Sequence, residues 1–314
     1  MQLLNLLKNF KKEILFLVRM RSLHFLGPEN TFTHIASKKF EERTKDKLNL
    51  VPNSNISNVA RSIFLSKNDL GVMAYHNSLV GLVQETLDLI YTYNLKVVDI
   101  QRLPISFSIG VSNKSTKSKS VYSHPKAISE CSDWLSNNLT DYNPVFMSST
   151  VSGIEKVISL NEGYVIANKD ILKKKELYLL GEDIGNRNNG KKNFTDFYLV
   201  SKENDVDKIK DLSYLTMIAI VPPDDRYGLL VDILSQVRYY GLNNAKIHSR
   251  PILDKFIKPH FEHQMFYLEI EAHQKDESFI RCVDSLNYKL SKKSSEKDPV
   301  TILGCYKMPC IKNN

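Results

Sequence analysis

Long apolar runs, paired cysteines and a strong excess of one charge are what this chain has least of. No stretch approaches the roughly 18 uncharged apolar residues that a membrane-spanning helix requires. The four cysteines (Cys131, Cys282, Cys305 and Cys310) form no C-x-x-C pair and show no zinc-site spacing. In a chain this long they are expected to be buried or incidental thiols of a reducing compartment. Forty-three Lys and Arg stand against 35 Asp and Glu, a formal charge of +8. Half of that excess lies in residues 1–21, where Lys8, Lys11, Lys12, Arg19 and Arg21 face Glu13 alone. The rest is too dilute for the clustered basic face that nucleic-acid binding needs, so no nucleic-acid partner is expected. With 42% hydrophobic and 25% charged residues, the composition is that of a globular protein, neither disordered nor fibrous.

At 314 residues the length suggests two domains, each large enough to bury a core. The basic segment 1–21 is set apart as an N-terminal extension. Within it, residues 1–19 read as an amphipathic helix, a targeting peptide, or sequence upstream of a start at Met20; a secretory signal would place a longer apolar core after its basic residues. The expected compartment is the cytoplasm, with organellar targeting by residues 1–19 left open.

From Leu23 to about Val200, short apolar runs alternate with helical patterns. Strands are expected at Leu23–Leu26, Asn49–Val51, Leu70–Ala74, Lys96–Gln101, Ser120–Tyr122, Pro144–Phe146, Gly163–Ala167 and Phe197–Val200. Helices are expected at about 31–44, 56–66, 80–92, 125–137 and 150–160. This alternation predicts parallel sheets covered by helices, an α/β architecture. Lys173–Glu176 reads as a solvated charge run and Gly185–Lys192 as a polar loop. After residue 201 the pattern changes. Strand, helix, strand, strand, helix and strand follow at Thr216–Val221, Gly228–Tyr240, Asn244–Ser249, Met265–Ala272, Asp276–Leu290 and Val300–Cys305, the order of a ferredoxin-like split βαβ unit. The expected organisation is therefore an extension (1–21), an α/β domain (22–201), a linker (202–212) and a ferredoxin-like domain (213–308).

The segment Phe25 to Thr33 (FLGPENTFT) ends a strand and enters a helix. Thr31 and Thr33 can cap that helix, and its N-terminus offers free N–H groups to an anion. With Gly71–Ile90 (GVMAYHNSLVGLVQETLDLI), Val121–Ala127 (VYSHPKA), Ser149-Thr150 and Asn193–Val200 (NFTDFYLV), this segment resembles the prephenate dehydratase family. Asp225–Val231 (DRYGLLV), Ile247–Pro251 (IHSRP) and Met265–Glu271 resemble the ACT regulatory domain attached to such enzymes. The resemblance runs over about residues 22–306 in the family's order. It implies a two-lobed catalytic unit like a periplasmic binding protein, with the active site in the cleft and L-phenylalanine sensed at paired ACT domains. It also implies a homodimer or homotetramer.

The implied reaction turns prephenate into phenylpyruvate, carbon dioxide and water within L-phenylalanine biosynthesis. It asks for anchors for a dianion, a donor at the departing hydroxide and a dry apolar wall, with no cofactor or metal. By the resemblance, Thr195 assists the leaving hydroxyl and Phe197 forms the wall; the residue-level alternative is a strand start and a core aromatic. Thr31, Asn77, Ser78, Ser149 and Thr150 are the expected substrate-binding residues. Asn77 and Ser78 could equally cap a helix beginning near Leu79, and Ser149-Thr150 the helix at 150–160. Three departures stand out. Asp196 occupies the arginine of the family's Thr-Arg-Phe motif. At about 4 Å and an effective dielectric near 20, a carboxylate facing the substrate would cost up to ~4 kcal/mol. Lys126, Arg187, Lys191 or Lys192 could supply the missing cation. His76, expected in a partly exposed loop, replaces an acid, and His248 replaces a glutamate in the ACT block.

The expected allosteric residues are Gly228, Leu229, Leu230 and Val231 at a helix start, with Ser249, Arg250 and Pro251 after a strand where the proline ends ladder pairing. Tyr227 stands where a proline is usual. His260, His263 and His273 lack metal-site spacing and read as a surface loop. Besides dehydration, two other outcomes stay open on this scaffold: a decarboxylase-like lyase that keeps the hydroxyl, and a non-catalytic sensor of an aromatic metabolite.

Overall fold

The computed structural model describes residues 21–44, 47–186, 190, 193–203, 206–224, 226–252, 264–291 and 298–308. Residues 1–20 of the basic extension, Arg187, Lys191, Lys192, His260, His263 and Cys310 lie outside the described residues. In chain order the elements are β1 (Ser22–Leu26), α1 (Phe32–Thr44), β2 (Asn49–Asn53), α2 (Ile56–Leu65), β3 (Leu70–Asn77), β4 (Gly81–Leu82), α3 (Gln84–Thr92) and β5 (Lys96–Pro104). There follow β6 (Ser108–Val111), β7 (Ser120–Ser123), α4 (Pro125–Ser129), α5 (Ser132–Asn138), β8 (Asn143–Phe146), α6 (Thr150–Leu160), β9 (Tyr164–Ala167), α7 (Lys169–Lys174), β10 (Tyr178–Gly181) and β11 (Phe194–Ser201). The last six are β12 (Tyr214–Ile220), α8 (Leu229–Tyr239), β13 (Asn244–Pro251), β14 (Gln264–Ile270), α9 (Glu277–Leu290) and β15 (Val300–Lys307). The architecture is α/β. The described residues of 1–59, 72–86 and 101–197 form one compact unit, and those of 60–71, 87–100 and 198–314 form another.

Two sheets shape the first unit. In one, β2 pairs parallel with β1, β3 lies on β1's other side, and β11 lies beside β3. The other has the order β10-β6-β9-β7-β8. There β7 pairs parallel with β8 and β9, but β6 runs antiparallel to both β9 and β10, so the expected all-parallel pattern is corrected to a mixed one. Neither β6 nor β10 is anticipated by the hydrophobic pattern, because Ile105 and Phe107 extend the β5 run into β6 and β10 is four residues long. Helices pack onto this sheet through apolar stripes. Val151, Ile154 and Val157 of α6 are buried at spacings of three, and Ser149 caps the helix through a reciprocal box with Ser152. Asn161 ends it in the left-handed conformation at φ 48°.

Several expected elements differ in extent or continuity. The helix expected at 80–92 starts at Gln84, because β3 runs on to Asn77 and turns back through Gly81 (φ 88°) into β4. Asn77 therefore closes a hairpin turn, its Oδ1 accepting from the N–H groups of Leu79 and Val80, and caps no helix. His76 pairs with Leu82 in that hairpin and so belongs to a strand, not a loop. The helix expected at 125–137 is two short helices separated at Glu130 and Cys131. Two residues of the expected charge run, Lys173 and Lys174, form the end of α7.

In the second unit, β13, β14, β12 and β15 are neighbours in that order and antiparallel throughout, with α8 and α9 as crossovers: the ferredoxin-like arrangement. Phe279, Cys282, Leu286 and Leu290 form the buried stripe of α9, packed with Ile233 of α8 and Leu268 of β14. Pro251 does not lie beyond β13 but is its last residue, on the edge strand where a missing N–H is tolerated. β15 meets β5 at Gly304 opposite Val97, where a β-carbon would stand 2.2 Å from the Val97 carbonyl oxygen. With φ at 140° as well, only glycine fits there. His273 is 1% exposed, not a surface-loop residue. Its Nδ1 accepts from the Lys275 N–H, its Nε2 lies 3.1 Å from the Val206 carbonyl, and its ring meets Tyr214 edge-on. No His/Cys/Asp/Glu cluster able to hold a metal occurs among the described residues, and no described helix is long and apolar enough to cross a membrane.

Candidate active site

Within the first unit, a cavity of about 280 Å³ opens at the C-terminal ends of β1, β3 and β7 and the start of β11. Loops at strand ends collect there because β1 and β7 hand over to α1 and α4 and β3 turns into its hairpin. Leu26 and Gly27 leave β1 and Thr31, Phe32 and Thr33 begin α1, so the N-terminus of a 13-residue helix faces the space. The Thr31 hydroxyl donates to the Pro28 carbonyl at 3.0 Å and accepts from the His34 N–H at 3.3 Å, which makes it the cap of α1 as well as a lining residue. The start of α6 reaches the same cavity through Ser148, Ser149 and Thr150. Ser149 thus caps α6, its hydroxyl accepting from the Ser152 N–H at 3.0 Å, and the residue also lines the cavity. Two helix N-termini aimed at one space favour negative charge there.

Thr195 and Phe197 line the cavity from β11. Strand alternation sends the residue between them to the opposite face. Asp196 is 1% exposed and forks onto Arg102 of β5, with Nε to Oδ1 at 2.7 Å and an NH2 nitrogen to Oδ2 at 2.9 Å. The hydrogen bonds donated to Asp196 raise the Arg102 pKa, and the guanidinium lies 3.9 Å from the centre of the Phe194 ring. The expectation that Asp196 stands in the cavity wall is therefore overturned, because its negative charge is neutralised on the far face of the strand.

A chain of amides and carboxyl organises the inner wall. Asn77 is 2% exposed, and its Nδ2 donates to Thr195 Oγ1 at 3.0 Å and to Asn193 Oδ1 at 2.9 Å. Asn193 in turn donates through Nδ2 to Glu130 Oε2 at 2.8 Å. The Ser78 hydroxyl donates to Asn193 Oδ1 at 2.9 Å and accepts from the Phe194 N–H at 3.0 Å, which ties the hairpin to β11 and keeps Ser78 off the lining. Thr195 Oγ1 is thus an acceptor toward Asn77, and its own proton points to no partner among the described residues. A hydroxyl so held is a directed donor.

Among the described residues, three titratable side chains line the space: His124, Lys126 and Glu130. Burial lowers the His124 imidazole, with Lys126 acting in the same direction. Burial raises the Glu130 carboxyl, with Lys126 and the Asn193 hydrogen bond opposing. Lys126 Nζ lies 4.0 Å from Glu130 Oε1 and keeps nearly half of its side chain in solvent. Arg187, the other expected anchor, is outside the described residues. Ala74, Ile105, Phe107 and Ala127 complete an apolar side. Sequence reasoning assigned no role to Glu130, Asn193 or His124. Asn193 lies inside a matching segment and could have been singled out there; Glu130, four residues after Lys126, looks like an ordinary helix-surface pair.

The expected allosteric residues lie in the second unit. Gly228, at φ 77°, precedes α8. Leu229 is buried while Leu230 and Val231 are exposed. Ser249, Arg250 and Pro251 end β13. Arg250 is engaged by Asp88 of α3, Nε to Oδ1 at 3.1 Å and an NH2 nitrogen to Oδ2 at 2.5 Å.

Known proteins resemble this chain in sequence and fold. The family model "Prephenate dehydratase" matches residues 23–205. The prephenate dehydratase of Bacillus subtilis (strain 168) is 28% identical over 261 residues, covering 79% of this chain and 87% of its own. The bifunctional chorismate mutase/prephenate dehydratase of Aquifex aeolicus (strain VF5) is 25% identical over 266 residues, covering 84% of this chain and 69% of its own. Among solved structures, the prephenate dehydratase of Arthrobacter aurescens in complex with L-Phe superposes with a TM-score of 0.76 at 24% identity, over 91% of this chain and 90% of that one.

Proposed function

The chain belongs to the prephenate dehydratase family, and we propose that its cavity catalyses that reaction: prephenate to phenylpyruvate with loss of carbon dioxide and water, in L-phenylalanine biosynthesis. The relatives named above are dehydratases, hence lyases. One observation carries the reading to this chain. Thr195, fixed as an acceptor by Asn77, has its proton free toward a cavity that two helix N-termini make receptive to anions. The substrate's two carboxylates would be met at the starts of α1 and α6, near Thr31, Ser149 and Thr150, with Lys126 as the mobile cation. Phe197 and Phe107 would exclude water from the ring. As the ring carboxylate leaves as carbon dioxide, its bonding electrons move into the ring and the C–O bond breaks. Thr195 would donate a hydrogen bond to the departing oxygen at that moment, when its charge is greatest. Asn77 would hold Thr195 in place. Asp196, on the other face, has no role in substrate binding.

The β12–β15 unit, residues 213–308, is proposed as an ACT regulatory domain, joined by a linker at 202–212 to a dehydratase-like domain at 22–201. Its ferredoxin-like strand order supports this assignment. L-Phenylalanine is the proposed effector, bound by Gly228–Val231 and Ser249–Pro251 across paired domains in a homodimer or homotetramer.

Purified protein incubated with prephenate at neutral pH, against a no-enzyme control because acid alone converts prephenate, should form phenylpyruvate, and Thr195→Val should lower kcat about 10²-fold or more. A non-aromatic decarboxylated keto acid would instead assign a decarboxylase. No product would leave a binding protein, and either result would sink the proposal.

A further inference from the structure

Expelling hydroxide from a ring carbon needs a proton by the time water leaves, and a threonine hydroxyl is too weak an acid to surrender one. Glu130 is the only carboxyl side chain among the described residues lining the cavity. It is 7% exposed, and Asn193 holds its Oε2 through a 2.8 Å hydrogen bond. Asn193 is the amide that Asn77 engages while holding Thr195, so the carboxyl and the hydroxyl are oriented by one amide pair. Its other oxygen, Oε1, has Lys126 at 4.0 Å, beyond hydrogen-bond length, and is free to bear a proton.

Resting on the dehydratase reading above, we infer that Glu130 is the general acid of this site, delivering its proton from Oε1 to the hydroxyl that departs from the prephenate ring. The balance is complete. The C–C bond to the ring carboxylate breaks with release of carbon dioxide, its electron pair completes the aromatic ring, and the C–O bond breaks. The departing oxygen takes the Glu130 proton to become water, and the Glu130 carboxylate regains a proton from solvent. The arrangement also answers the presence of an acid in an anion site. A carboxylate would repel a dianionic substrate, whereas a carboxylic acid does not, so substrate entry favours the form that catalysis requires. Burial already raises this carboxyl before substrate arrives. The groups facing it are Lys126 from α4, Asn193 just before β11 and the neighbouring Cys131, whose thiol is itself raised by burial and by Glu130, while His124 at the cap of α4 lines the same cavity.

The test is the pH profile of kcat/KM for prephenate in the full chain. A raised acid is protonated below its pKa and lost above it, so the wild-type profile should fall on the alkaline side. Glu130→Gln still accepts from Asn193 but cannot give a proton. It should lose about 10²-fold or more in kcat with KM changed little, and its alkaline fall should vanish. Glu130→Asp, which remains an acid, should keep the fall. A Gln variant within about twofold of wild type that retains the alkaline limb overturns the inference and would point to His124 as the source of that limb. A wild-type profile that is flat on the alkaline side overturns it without any variant. No turnover by the wild type would remove the dehydratase reading itself, a result distinct from either.

Discussion

Replacing Asp196 by Asn distinguishes a residue that repels substrate from one that holds the sheet. In the structure the carboxylate makes two charge-assisted hydrogen bonds to Arg102, at 2.7 and 2.9 Å, and is 1% exposed. Hydrogen bonds to charged groups contribute roughly 1.5–3 kcal/mol each. Asparagine keeps one acceptor oxygen, and Arg102 keeps 37% of its side chain in solvent, so water recovers some of the loss. The net destabilisation expected is about 2 kcal/mol, a fall of roughly 4–6 °C in Tm by scanning calorimetry. The KM for prephenate should change less than about twofold. Had the carboxylate faced the substrate, relieving ~4 kcal/mol of repulsion would tighten binding about 10³-fold. Asp196→Asn with an unchanged Tm and a KM lowered severalfold would refute the placement. A cycle pairing it with Arg102→Met should return a coupling of about 2 kcal/mol, since each partner's loss strands the other.

Gly304→Ala should destabilise the second unit by about 3 kcal/mol or more, because the new methyl meets the Val97 backbone at 2.2 and 2.4 Å. Urea unfolding followed by circular dichroism measures this, and a change under about 1 kcal/mol would contradict the pairing of β15 with β5. Burial pushes the Cys282 thiol up to about 11 and raises Cys131 and Cys305 as well, so all three should resist iodoacetamide at neutral pH until urea is added. Rapid labelling of any of them in the native protein, read by mass spectrometry, would show that it is reachable.

How much could be read from the chain depended on how local the determining physics was. The buried stripe of α9 and the alternation in β1 depend on neighbours a few residues away, and both elements were legible to within a residue or two at their ends. β6 was not, because Leu103, Ile105 and Phe107 blur its boundary with β5. The break between α4 and α5 carries no glycine or proline inside it, so the pattern ran through. The side of the strand on which Asp196 lies was available in principle from the period-two rule applied between Thr195 and Phe197. Its partner Arg102 was not, being 94 residues away. Glu130 illustrates the same limit. Its spacing from Lys126 marks a surface pair, and only the fold brings Asn193, 63 residues on, against its carboxyl.

Asn77 answers to two sets of neighbours at once. Its carbonyl oxygen gathers the two N–H groups that turn β3 back on itself, while its amide nitrogen points the other way and steadies Thr195 and Asn193. Because the hairpin and the reactive hydroxyl share this anchor, and Ser78 beside it also holds Asn193, a distortion of the turn at Val80 and Gly81 would be transmitted to the cavity through these two neighbouring side chains. That makes the hairpin tip, remote from the chemistry by sequence and open to solvent, a place where an added loop or a bound protein could retune turnover without entering the cavity.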